Sequence, residues 1–296
     1  METGRGDGTD TRLSAKELQS AFRDIRHDHL SGLPRSSDPR AVLVVGQPGS
    51  GKTESGHRWR PLIPGRSPVR ISGDRFKSYH PHHQRLLIRD PRTAGKLIRP
   101  DYQLWQEMAE EYVRTIPADV VVEIAPGSPK GLLASAAAYR ERGYHLTLVA
   151  LAVRRADSRQ GILHRYAVGS QGGELPCRLT PADGHDACYT SLPGALSAVE
   201  RSAAVDVLTV VRRDQTELYR AERHPDGRLG SGAVSALEAE RLRPYSPPEA
   251  VEFCRVQQEL DRDLPEERPE LDEIAALAWP LLPSDMRPQS GVRKPR

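Results

Sequence analysis

Short apolar runs alternate along this chain with stretches of helical periodicity. Ala41-Val42-Leu43-Val44-Val45, the segment around Val69-Arg70-Ile71, Val120-Val121-Val122 closing on Glu123, and Leu146 to Val153 read as strands. Val205 to Val211 and Glu217 to Arg220 read as the last two. Leu104, Met108, Tyr112 and Ile116 recur at i, i+4, i+8 and i+12, with Trp105, Ala109 and Val113 beside them, which predicts a helix from Tyr102 to Ile116. Further helices are predicted from about Pro129 to Arg142, with Gly143 at C′, from about Asp157 to Val168, and from about Pro181 to Ser202. Ser14 followed by Glu17 is a capping-box pattern that opens a helix through about His27. Residues 79–100 carry no readable period.

Strand–helix alternation with apolar strands implies a mostly parallel sheet with helices on both faces. The pattern divides the chain into an N-terminal tail and helix (1–34), an α/β domain (35–222), a helical region (223–283) and a tail expected to be disordered (284–296). Residues 1–10 carry the same expectation of disorder. The helical region reads as helices near 233–243, 248–264 and 269–281. No internal repeat is visible.

The octapeptide Gly46-Gln47-Pro48-Gly49-Ser50-Gly51-Lys52-Thr53, entered from the first apolar strand, fits G-x-x-x-x-G-K-[ST]. Glycines let such a loop curl so that backbone N–H groups point inward at phosphate oxygens, and the following helix adds its N-terminal partial charge. Lys52 would supply a mobile charge for the β/γ-phosphates, and Thr53 a hydroxyl for Mg²⁺. The fold class is therefore α/β, P-loop NTPase/kinase-like, with a C-terminal helical extension and ATP and Mg²⁺ as expected ligands.

Composition narrows the partners. The formal charge is +3 over 296 residues, and arginine supplies nearly all the positive charge, since lysine occurs six times. The basic residues are scattered and aromatics make up 5%, unlike the clustered, aromatic-interleaved surface of a nucleic-acid binder. No apolar stretch approaches a membrane span, and METGRGDGTD has no signal-peptide apolar region, so no membrane partner and a cytoplasmic location are expected. Cys177, Cys188 and Cys254 show neither CxxC pairing nor zinc spacing and read as free thiols.

Two carboxylates stand at the ends of strands, where parallel sheets hold their ligands. Asp74, in Gly73-Asp74-Arg75-Phe76, can accept a proton from an attacking hydroxyl, help hold Mg²⁺, or cap a turn; position alone leaves these readings even. Glu123 ends an otherwise apolar strand, which is costly unless it meets a cation, a metal or a hydrogen-bonding ligand, and a Walker-B-like role is one reading. Arg165 and Arg178 flank the segment Gly169–Pro176; guanidinium groups suit developing phosphoryl charge, though position alone does not single these two out. His80-Pro81-His82-His83 fits no standard zinc spacing and reads as a solvated loop.

Taken together, these blocks resemble the zeta toxins of bacterial toxin–antitoxin systems, UDP-N-acetylglucosamine kinases. The resemblance rests on the octapeptide, Gly73-Asp74-Arg75-Phe76 with His80-Pro81, Val121-Val122-Glu123, and Arg165-Tyr166 followed by Arg178-Leu179-Thr180-Pro181 and His185-Asp186. It spans about residues 12–222 and leaves the C-terminal third uninformed. It implies that Lys52 and Thr53 bind ATP phosphates and Mg²⁺, that Asp74 takes the proton from the sugar 3′-hydroxyl, and that Arg165 and Arg178 clamp the γ-phosphate. It also implies that Glu123 and Glu107 contact the sugar nucleotide, and that an antitoxin partner blocks the ATP site. Without it, Glu107 reads as one of three solvated helix glutamates, with Glu110 and Glu111. One departure bears on the acceptor: where the family follows the strand glutamate with Gly-Thr, this chain has Ile124-Ala125. A different hydroxylated acceptor (NAD, an antibiotic, another nucleotide sugar) and a catalytically inactive nucleotide-binding protein acting through partners are the alternatives; the complete Asp74, Arg165 and Arg178 set argues against the second.

Overall fold

The computed structural model describes residues 11–59, 67–171, 177–202 and 204–286; the sequence-based expectations for residues 1–10, for residues 172–176 of the Gly169–Pro176 segment and for most of the 284–296 tail lie outside these. Six strands form one sheet in the order β2-β3-β1-β4-β5-β6. They are β1 (Arg40–Val45), β2 (Val69–Ser72), β3 (Val120–Ile124), β4 (His145–Leu151), β5 (Val207–Val211) and β6 (Glu217–Glu222). All neighbours are parallel except β5 and β6. The central register sets Val44 opposite Glu123 on one side and opposite Val149 on the other.

Burial on both faces explains the continuous apolar runs. Ala41, Leu43 and Val45 of β1 point into one core with Val120, Val122, Leu146 and Leu148. Val42 and Val44 point the other way, with Val121, Val149 and Leu151. The first core is completed by α1 (Ala15–Leu30), α6 (Arg99–Thr115), α7 (Pro129–Glu141), α9 (Ala182–Ser202) and α10 (Ala233–Leu242). The Ser14–Glu17 capping box forms as expected, and α1 packs on α6, with Trp105 Nε1 donating to the Leu18 carbonyl at 3.0 Å. Gly143 follows α7 at φ +77°.

Residues 79–100 fold into two short helices, α4 (His83–Arg89) and α5 (Pro91–Leu97), after the short α3 (Gly73–Phe76). Leu86, Leu87, Ala94 and Ile98 give them a small core of their own. His80 is buried rather than solvated: its Nε2 lies 3.2 Å from the buried Asp101 carboxylate. Among the described residues no group of His, Cys, Asp or Glu could hold a metal by itself, and no helix is long and apolar enough to cross a membrane.

A second core joins α8 (Arg155–Gln171) to the C-terminal helices α11 (Pro247–Asp263) and α12 (Arg268–Ala278). Ile162, Leu163 and Leu179 pack there against Phe253, Leu260, Leu271 and Ile274. Arg159 of α8 is buried and donates to Glu270 at 2.8 Å and to Glu273 at 2.7 Å. The helical extension is thus built onto the element that carries Arg165.

Candidate active site

β1 lies where the sheet order changes direction, with β2 and β3 to one side and β4 and β5 to the other. In such sheets the crevice for ligands opens at the carboxyl ends of the strands. The Gly46–Thr53 loop leaves β1 at that point and feeds α2 (Lys52–Trp59). Gly49 sits at φ +75°, and a Cβ there would collide with the Ser158 carbonyl of α8, so only glycine fits. Gln47 is fully buried and ties the loop down: its Nε2 donates to Val153 O at 3.1 Å and to Ser158 Oγ at 3.2 Å. Ser158 Oγ is 2.7 Å from His185 Nε2, and His185 Nδ1 is 2.8 Å from Asp186. The His-Asp pair therefore braces the loop from beneath; it does not face the cleft.

The cleft holds about 860 Å³ and is lined by Pro48, Gly49, Gly51, Lys52 and Thr53 at one end. Asp74, Glu107, Glu123, Arg165 and Arg178 line it too. Gly46, Gln47 and Ser50 of the octapeptide are buried behind it. Lys52 Nζ donates to the carbonyls of Gly46 and Gln47 at 2.8 and 2.9 Å. Burial pushes its pKa down to about 8 despite the nearby Asp74 and Glu123 carboxylates. Thr53 Oγ1 lies 3.2 Å from Glu123 Oε2, with Ser72 Oγ at 3.4 Å from the same oxygen. Glu123 is also paired with Arg70, whose Nε donates at 2.7 Å, which accounts for a charged group among apolar strand residues.

Asp74 stands at the start of α3, just past β2. Burial opposes its charge, but Arg178 and then Lys77 hold its carboxyl far below the usual carboxylate range. Arg178 Nη2 pairs with Oδ2, and Lys77 Nζ with Oδ1 at 2.8 Å. Arg165 faces the same cleft; burial, with Arg178 beside it, pushes its pKa down to about 10. Its Nη2 is buried with no hydrogen-bond partner. Two guanidinium groups brought together, one with an unsatisfied nitrogen, have the chemistry to receive an anion.

Sequence reasoning missed Lys77, a buried lysine whose ammonium also sits 4.6 Å from the centre of the Tyr102 ring. Burial lowers its pKa to about 8. Its signal was a lysine three residues past Asp74 in a single helical turn, a spacing that brings side chains together. Glu110 is another correction. It is buried, not solvated, accepting from Ser135 Oγ at 2.9 Å and Gln106 Nε2 at 3.2 Å, and burial raises its pKa. Glu107 is exposed to the cleft as one of its walls, and Arg92, Lys96 and Arg99 of α5 and α6 line it too.

The oxygen chemistry here fits Mg²⁺, which is bound through one or two carboxylates together with substrate phosphates and water: Glu123 supplies the carboxylate, with the Thr53 and Ser72 hydroxyls beside its Oε2.

Comparison with known proteins gives consistent matches. A family model described as "Zeta toxin" matches residues 25–224. Toxin zeta of Streptococcus pyogenes is 24% identical over 260 residues, 88% of this chain and 89% of that protein. A solved structure from the PezAT chromosomal toxin–antitoxin system of Streptococcus pneumoniae superposes with a TM-score of 0.69 at 19% identity, covering 89% of this chain and 98% of that one. The structure of AvrRxo1-ORF1:-ORF2 with ATP reaches a TM-score of 0.53 at 12% identity, covering 89% and 88%. At these identities the structural likeness speaks for the fold.

Proposed function

The chain belongs to the zeta toxin family, and we propose that it transfers the γ-phosphoryl group of ATP to the sugar 3′-hydroxyl of UDP-N-acetylglucosamine. The observation that carries the transfer is the meeting of Lys52, Asp74, Arg165 and Arg178 around one cleft, with Arg165 Nη2 left unsatisfied. A phosphoryl group between the loop and the two arginines would satisfy it. Little covalent chemistry is then required of the protein, because positioning and charge neutralisation dominate phosphoryl transfer. Mg²⁺ held by Thr53 with Glu123 and Ser72 nearby would neutralise β/γ-phosphate charge. Glu123 thus takes the Walker-B-like role in this proposal, and Glu107 is left to face the acceptor.

Asp74 takes the proton of the attacking hydroxyl. With both Arg178 and Lys77 on it, the carboxylate is a weak base. Recruiting Arg178 to the phosphoryl group removes one of those cations and strengthens the base just as both substrates are present. Lys96 and Arg99 in the cleft wall suit the diphosphate of a sugar nucleotide, while Arg92 in the same wall is paired with Glu267. Ile124 and Ala125 in the cleft wall favour a second reading, in which the acceptor is another hydroxylated nucleotide. By analogy with the PezAT toxin–antitoxin system, an antitoxin protein is proposed as partner.

The test of the acceptor is a mass-spectrometric screen with ATP and Mg²⁺. A gain of one phosphate on UDP-N-acetylglucosamine is the expected result. Phosphorylation of a different nucleotide with that sugar untouched would move the assignment to the second reading.

Affinity for ATP should also depend on pH. Lys52 keeps its charge below its pKa of about 8 and loses it above, so ATP binding to the free protein is expected to weaken as pH rises from 7 to 9.5. A titration series that stays flat across this window would show that Lys52 is not the titrating phosphate ligand.

A further inference from the structure

Arg241, on α10, reaches the phosphate loop from behind. It is 6% exposed and does not line the cleft. Its Nη2 lies 3.5 Å from Gln47 Oε1, and its Nε is buried with no hydrogen-bond partner. Its guanidinium carbon stands 3.6 Å from the centre of the Tyr189 ring. The adjacent Glu240 is engaged by Arg212 and Arg243, and the exposed Glu238 attracts Arg241 without pairing with it. A buried charge is costly unless it is paired, and burial pushes this pKa down. An unpaired buried cation beside a ligand loop calls for a functional reason.

Gln47 supplies one. Its Nε2 is spent on Val153 O and Ser158 Oγ, so its Oε1 needs a donor, and Arg241 is that donor. A guanidinium can only donate, so it admits a single orientation of the Gln47 amide. The bonds beyond share the same direction. The Asp186 carboxylate, also held by Arg155 Nε at 2.9 Å, only accepts, so His185 Nδ1 carries the proton. Burial pushes the His185 pKa down. Its ring is therefore neutral, and Nε2 accepts from Ser158 Oγ, which in turn accepts from Gln47. A donor-only group starts this line of bonds under the loop and an acceptor-only group ends it, and bonds in such a chain strengthen one another. Tyr189 closes the arrangement, its ring 20° from parallel with His185 on one side and against the guanidinium on the other.

We propose that Arg241 is a positioning residue for phosphate binding: it fixes the Gln47 amide, and with it the phosphate loop, and sets a buried positive charge behind that loop. The proposal rests on the reading that the loop binds a nucleoside triphosphate. Pro48 and Gly49, next to Gln47, line the cleft, so this charge backs the wall against which the phosphates would lie. Salt screens a buried charge far less than an exposed one. Through α10, the helical region gains a part in phosphate recognition.

Calorimetric binding of Mg²⁺-ATP and of Mg²⁺-tripolyphosphate to the full chain, with thermal midpoints alongside, tests this. Arg241→Met keeps the bulk and removes the charge and the donors. It is expected to weaken both ligands together by about tenfold, the scale of one hydrogen bond to a charged group. The transfer rate at saturating ATP should stay within about twofold, because lost binding of this kind appears in KM. The thermal midpoint should hold or rise, since an unpaired buried charge is gone. A purely structural prop would instead lower the midpoint and leave the affinity of the folded molecules alone, which would overturn the proposal. Arg241→Lys restores the charge and should recover part of the affinity; recovery of none would overturn it. A loss confined to ATP would do the same, by making Arg241 a base contact. Should Arg241→Met not fold, Tyr189→Leu removes the platform under the guanidinium, and unaltered binding of both ligands by that variant would also overturn the proposal. A wild type that binds neither ligand would defeat the phosphate-loop reading beneath it, and the proposal with it.

Discussion

Asp74→Asn is expected to lower kcat by about 10²- to 10⁴-fold, the range for loss of a general base, while the protein still binds ATP. The amide is nearly isosteric, and its oxygen can still accept from Lys77. It cannot take a proton from a hydroxyl, and its amide side no longer holds Arg178 as an ion pair. Arg178 is then free to turn to the phosphate, so ATP affinity should hold or improve. That combination separates the base from a merely structural aspartate, whose loss would weaken fold and binding together. The measurements are single-turnover phosphate transfer, ATP binding by calorimetry, and a thermal midpoint as control. Turnover within a few-fold of wild type would remove Asp74 as the base and leave it as an ion-pair anchor for Arg178 and Lys77.

Much of this site was legible because it is local. The phosphate loop announces itself through glycine, lysine and threonine at fixed spacing after an apolar run, and Asp74 and Glu123 stand out as carboxylates at strand ends. What the sequence could not supply was pairing across the fold. Glu110 looks like Glu111 until Ser135, 25 residues away on another helix, is seen to cover it. Glu123 lacks a visible reason for its charge until Arg70 of the neighbouring strand is placed beside it. Residues 79–100 were unreadable because their two helices are too short to display a period, and they bury only a small core of their own. Position alone could not separate Arg165 and Arg178 from the rest of the 37 arginines; the family resemblance named them, and a shared cleft brings them together.

Leu271→Ala is expected to cost about 2–5 kcal/mol of stability, the usual range for truncating a fully buried leucine, against a total of about 5–15 kcal/mol for a protein of this kind. Leu271 is fully buried in the second core, on α12, and its carbonyl accepts from Gln257 Nε2 of α11 at 2.9 Å. It does not line the cleft. Its influence on chemistry would pass through α8, which presents Ile162 and Leu163 to this core and carries Ser158 against Gly49 and Arg165 into the cleft. Leu179, next to Arg178, is anchored in the same core. A cavity here loosens the mounting of both arginines at once, so activity per folded molecule should fall along with stability. Leu237→Ala supplies the contrast. Leu237 is equally buried, but in the first core beneath the sheet, so its loss should cost comparable stability and spare the activity of the molecules that remain folded. Urea midpoints and transfer rates measured well below the unfolding transition decide between the two. If both variants lose stability and neither loses specific activity, the second core supports the fold without tuning the arginines. A midpoint unchanged by Leu271→Ala would mean that the C-terminal helices do not share a core with α8 at all.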